Sequence, residues 1–200
     1  NPDATEIFQE GLRIPPIKLI EQGKVRQDLW NLLQLNSRTP DLLDGDLRAM
    51  LGSTRIGMER LEALVAEMGI EDALASFEGV LDHGDRMLRT CISDLPDGTW
   101  TGEDATENDC FEDIRTDIKV ALVVKDDHVT VDFTRTGPQM RGFKNSSIAN
   151  TMSATSMALG SFFPQDLPRN EGTFRSVSLV MPKGSAVNPR PPAPMTMNTV

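Results

Sequence analysis

Residues 6 to 16, EIFQEGLRIPP, place two carboxylates, an amide and a guanidinium within eight positions of a segment that stops at a double proline. Glu6 and Glu10 lie one short reach apart, Gln9 can both donate and accept, and Arg13 offers a planar fork that grips a carboxylate or carbonyl. A carboxylate shut into a partly apolar loop can work as an acid or base, with Ile7, Phe8, Leu12 and Ile14 as the expected anchors. The same residues also suit a salt-bridged structural loop, and spacing alone favours that plainer role.

A second polar cluster sits in NSRTPDLLDGDLRAM, where Arg38, Asp46 and Arg48 surround the first turns of a helix that Thr39 would cap and Pro40 would open. Gly45 inside that helix costs about 1 kcal/mol relative to Ala, which points either to close packing or a nearby ligand, or to a plain irregularity. A third lies in TGPQMRGFKN. Gly142 to Asn145 lead into a helix whose first backbone donors can receive a carboxylate or phosphate, with Ser146 or Asn145 as an ordinary N-cap being the plainer alternative.

Other chemistries find little support. His83 and His128 have no partners at ligand spacing, and there is no H-E-x-x-H, C-x-x-C, EF-hand or G-x-x-x-x-G-K-[ST] pattern. The acidic run GEDATENDCFED lacks the ligand order of a calcium loop and reads as a solvated rim. Cys91 and Cys110 are too few for a disulfide framework, so a reducing compartment is expected. The net charge of -10, from 20 basic and 30 acidic residues, repels nucleic acid and anionic membranes. With no apolar run near the roughly 20 residues of a membrane span and no signal-peptide pattern, the expected location is cytoplasmic. The missing initiator Met and the closing PMTMNTV suggest an interior piece of a longer chain.

The elements that must position these residues follow from periodicity. Residues 1–38 read as the active-site loop and a connecting strand segment. Residues 39–95 carry apolar positions at helical spacing, interrupted at Gly69, and predict an antiparallel helical hairpin. Asp82 with Arg86, and Asp85 with Arg89, would pair along its solvent face. In residues 96–200 the period changes to two. Ile118, Val120, Leu122 and Val124 share a strand face, Val129, Val131 and Phe133 continue it after a turn, a helix occupies 146–163, and TFRSVSLVM at 173–181 is a further strand. The expected class is α+β: a helical hairpin followed by a mostly antiparallel sheet with one packed helix.

Five blocks in order, EIFQEGLRIPPIKLIEQGKV, NSRTPDLLDGDLRAML, LPDGTW, VTVDFTRTGPQMRGFKN and NEGTFRSVSLVMPKGSAVNPRPPAP, resemble the hydantoinase B/oxoprolinase family. That family takes in N-methylhydantoinase B subunits, the C-terminal part of 5-oxoprolinase, caprolactamase, and subunits of acetone and acetophenone carboxylases. The resemblance implies ATP-dependent chemistry on a small cyclic amide or ketone in a hetero-oligomer. A hydantoinase A-type subunit or domain would bind ATP and phosphorylate the carbonyl oxygen, and a divalent metal would be held mainly by segments outside this chain. Cyclic-amide hydrolysis is preferred over ketone carboxylation, and a non-catalytic assembly module is the third reading, since the 10 methionines suit an adaptable interface. The isolated fragment is expected to be inactive. Carried onto this sequence, the resemblance implies Glu10 as the catalytic residue and Gln9, Arg13, Arg38, Asp46, Arg48 and Asn145 as substrate-binding residues, with no metal ligand.

Overall fold

The computed structural model describes residues 3–195, so the end of PMTMNTV lies outside the described residues. The chain divides into two units, one of residues 12–76 and one of residues 1–11 with 77–200. The observed class is α+β, as the periodicity predicts.

In the first unit, β1 (Ile20–Glu21) and β2 (Lys24–Val25) form a two-stranded ribbon with Ile20 opposite Val25. Helix α1 (Gln27–Leu35) follows at once, inside a stretch for which only loop and strand are expected. Its QDLWNLLQL puts Leu29, Leu32 and Leu33 beside Ile14, Pro15, Pro16 and Ile17 around a hollow of about 230 Å³. The double proline therefore ends the opening segment against this helix. Helix α2 (Pro40–Met68) begins at Thr39, whose side chain makes no capping bond, with Pro40 in the first turn, where its missing N–H has no partner to lose. Gly69 separates it from α3 (Ile70–Ser93), with φ +83° and ψ 154°. Positive φ at this junction is open to glycine without a Cβ penalty, although ψ is extended rather than that of a left-handed cap. Glu71 and Asp72 place negative charge on the first turn of α3.

The second unit is built on a sheet in the order β3-β4-β5-β6. Strands β4 (Thr116–Lys125) and β5 (His128–Asp132) are the expected hairpin, with Leu122 opposite Val131 and Val124 opposite Val129. Alternation places Val120, Leu122, Val124, Val129, Val131 and Phe133 toward a core formed with Leu88 and Ile92 of α3, Leu159 and Phe163 at the end of α4 (Ile148–Phe162), and Leu167. Two features are additional. Strand β3 (Gly98–Thr106) pairs antiparallel along β4 as an edge strand. The segment expected as one strand at 173–181 is a 3₁₀ turn (Thr173–Ser176) followed by the short β6 (Val177–Val180), which runs parallel to β5.

Charge pairing on α3 differs from the spacing prediction in one place. Asp85 does bond Arg89, at 3.0 Å, and Arg89 reaches on to Asp127 of the β4–β5 turn at 2.9 Å. Asp82 instead bonds Arg175, at 2.7 Å, because the 3₁₀ turn brings that guanidinium alongside. The Nε2 of His128 lies 2.9 Å from Ser178 Oγ across the β5–β6 pair.

Candidate functional site

The opening segment makes one 3₁₀ turn, Ile7–Gln9, braced by Thr5 N–H donating to Gln9 Oε1 at 2.8 Å. What holds it differs from the expected apolar anchoring. Ile7 is half-buried, while Phe8, Leu12 and Ile14 are exposed. Polar bonds fix it instead. Ile7 N–H donates to Pro192 O at 2.8 Å, and Met195 N–H donates to the Glu10 carboxylate at 2.9 Å (Oε1) and 3.1 Å (Oε2).

The carbonyl of that same peptide group, Pro194 O, accepts from Asn145 Nδ2 at 3.1 Å. Glu10 and Asn145 thus hold the two polar ends of one peptide unit. Asn145 is fully buried, and its remaining bonds are also to backbone: Oδ1 accepts from Met140 N–H at 2.8 Å, and Nδ2 reaches Met140 O at 2.8 Å and Gly142 O at 3.0 Å. Its side chain is a strut between the 140–145 loop and the 192–195 strap.

Loop and strap are laced together further. Gln139 N–H donates to Gly184 O and Ala186 N–H to Gly137 O, at 2.8 and 3.0 Å, and Gln139 Oε1 receives Arg190 N–H at 2.7 Å. Ser146 N–H donates to Ala186 O at 2.8 Å, and Thr151 Oγ1 to Val187 O at 2.9 Å. The start of α4 is closed by its own hydroxyls. Ser147, one residue beyond the expected cap, accepts from Asn150 N–H at 3.2 Å, and Ser146 Oγ accepts from the Asn150 side-chain amide at 2.9 Å and lies 2.9 Å from Thr151 Oγ1.

The acidic run is only partly the rim expected of it. Asp109 is buried, with Oδ1 accepting the N–H groups of Glu112 at 2.7 Å and Phe111 at 2.9 Å. These two bonds, the Glu112 bond foremost, hold its carboxyl below the usual carboxylate range, and the charge of Arg141 adds to them. Arg141 lies 4.6 Å from the Phe111 ring centre, and Lys144 Nζ donates to Asn108 Oδ1 at 2.6 Å. Gly142 touches the Asp109 carbonyl so closely that a Cβ would collide with it. A buried carboxylate persists in this run because two backbone donors receive it and the charge of Arg141 favours its ionised form.

The other expected residues belong to the 12–76 unit. Arg48 donates to Asp44 Oδ2 at 2.6 Å, and its guanidinium carbon lies 5.3 Å from the Trp30 ring centre. Trp30 Nε1 and Gln34 Nε2 donate to Asp44 Oδ1 at 2.8 and 3.2 Å. Asp44 is thereby the joint between α1 and α2, its carboxyl held below the usual range first by Arg48 and then by the Trp30 bond. Arg13, Arg38 and Asp46 are exposed. Sequence reasoning singled out neither Asp44 nor Asp109. A lone aspartate carries no spacing signal until its donors, 4 to 14 positions distant for Asp44, are folded around it.

Among the described residues no three His, Cys, Asp or Glu side chains come together to hold a metal ion, so these residues alone do not fit one. No described helix is long and apolar enough to cross a membrane.

A sequence model of the family Hydantoinase B/oxoprolinase matches residues 1–200. The chain belongs to that family. As a hydantoinase B/oxoprolinase chain it is 36% identical, over 97% of its length and 33% of the relative's, to the caprolactamase subunit beta of Pseudomonas jessenii. The crystal structure of the ATP-dependent caprolactamase from that organism superposes with a TM-score of 0.91 over 98% of this chain and 34% of that one. The acetophenone carboxylase delta subunit of Aromatoleum aromaticum is 25% identical over 95% of this chain and 28% of the relative. The hydantoinase B/oxoprolinase chain described thus spans about a third of these relatives.

Proposed function

We propose that this chain is part of the hydantoinase B-type subunit of an ATP-dependent cyclic-amide hydrolase that works with a hydantoinase A-type partner. The likeness to the caprolactamase beta subunit supports this reading over nearly the whole chain. The observation that carries it at the residue level is the fixed carboxylate of Glu10, tied through one peptide unit to Asn145, 135 positions away.

ATP bound by the partner would supply the phosphoryl group that activates the carbonyl oxygen of the ring, and a divalent metal would be held mainly by segments outside this chain. On this chain, Glu10 receives the proton of the attacking water. A carboxylate has about four acceptor sites and can accept from water as well as from a backbone donor. Gln9 contributes a donor: its Oε1 is engaged by Thr5, and Nε2 makes no bond among the described residues, which suits it to a ring carbonyl. Arg48 acts indirectly, by keeping α1 on α2.

The likeness to the acetophenone carboxylase delta subunit favours a second reading, a subunit of an ATP-dependent ketone carboxylase. The full-length subunit co-expressed with its A-type partner separates them by phosphate release with lactams, hydantoins and oxoproline, or with ketones plus bicarbonate. Release coupled to ring opening of a cyclic amide is expected. Release coupled only to ketone carboxylation would overturn the hydrolase reading.

A further inference from the structure

We infer that Asn145 is a positioning residue for Glu10, acting through the Pro194–Met195 peptide rather than by touching substrate. The inference rests on the proposed role of Glu10 and goes beyond it by naming what aims that carboxylate. Four observations lead there. The Asn145 side chain is completely buried and directs all its bonds to backbone groups. Three of those bonds fix it to the 140–142 loop, so it is a rigid post. Its remaining reach, to Pro194 O, sets the orientation of the peptide plane whose N–H meets both oxygens of Glu10. The strap also receives Ile7 N–H at Pro192, so the 3₁₀ turn carrying Gln9 is held to the same run of chain.

Because the peptide is planar, a tilt at its carbonyl is a tilt at its N–H, and the carboxylate follows. Lost positioning of this kind lowers the rate of the chemical step by as much as about 10²-fold while leaving substrate affinity nearly unchanged. A residue that only stabilises the fold lowers the folded fraction instead, with normal turnover in what remains folded.

The test is a double-mutant cycle in the full-length subunit with its A-type partner, scoring kcat and KM per folded enzyme. Asn145→Ala is one arm. Met195→Pro is the second, and serves if the first does not fold, since it removes the N–H that meets Glu10 while leaving the Asn145–Pro194 bond in place. Each is combined with Glu10→Gln. We expect kcat to fall 10- to 100-fold in either single variant, as an order-of-magnitude figure, with KM nearly constant, and to fall no further when either is added to Glu10→Gln. Full kcat in both positioning variants, or losses that multiply with that of Glu10→Gln, would overturn the inference. Unchanged turnover in Glu10→Gln alone would instead remove Glu10 from the mechanism, and the inference with it.

Discussion

Replacing Asp109 separates two things that its carboxylate does, and the structure sets the scale of each. Asp109→Ala leaves the N–H groups of Phe111 and Glu112 without their acceptor in a buried turn. Hydrogen bonds to a charged group contribute about 1.5–3 kcal/mol each, and because both N–H groups share one oxygen the pair is taken at the low end, roughly 3 kcal/mol in total. Asp109→Asn keeps an acceptor oxygen at the same place but gives up the charge and the attraction of Arg141, so about 1 kcal/mol is expected. Urea unfolding at pH 7, followed by circular dichroism, measures both. The pH dependence adds a sign. Since the folded state holds this carboxyl below its ordinary range, its contribution is complete above the unfolded pKa of about 3.9 and is lost as pH falls through the folded value. The gap between wild type and Asp109→Asn should therefore be constant from pH 7 down to about 5 and shrink below about 4. Equal stability of wild type and Asp109→Ala at pH 7, or a gap that widens on acidification, would refute this account.

Two further changes probe the neighbouring supports. Gly142→Ala forces a methyl group against the Asp109 carbonyl and should cost about 1–3 kcal/mol, read from the same urea titration; a stability equal to wild type would mean that loop 107–112 does not press on Gly142. Trp30→Phe removes the indole donor to Asp44 while keeping an aromatic ring, and should lower protection of α1 amides in hydrogen exchange with the β4 and β5 amides unaffected; unchanged α1 protection would refute the Asp44 joint.

How much was legible depends on whether the signal was local. The β4–β5 hairpin and α4 follow from period alone, because each buries one face along its own sequence. The Gly69 break needed only a residue that tolerates positive φ. Strand β3 escaped notice because GTWTGEDAT carries no apolar alternation; it is an edge strand with much of its length exposed, and pairing with β4 rather than side-chain burial defines it. Helix α1 escaped because its apolar residues pack on the Ile14–Ile17 segment, a contact with no periodic trace. The same holds at the site. Types and spacing drew attention to Glu10 and to Asn145 separately, but only folding reveals that they share a peptide at 194–195.

The parallel pairing of β5 with β6 has a consequence for how the molecule is made. Parallel neighbours cannot be joined by a tight turn, so everything from residue 133 to 176, including the lacing loop and α4, is the crossover between them. Closing so long an arc is entropically expensive and slow compared with zipping up a hairpin. The polar scaffold around Glu10 should accordingly be the last part to assemble during synthesis, and a ribosome-bound chain halted before residue 177 would display a finished hairpin with no place yet for its carboxylate to be aimed.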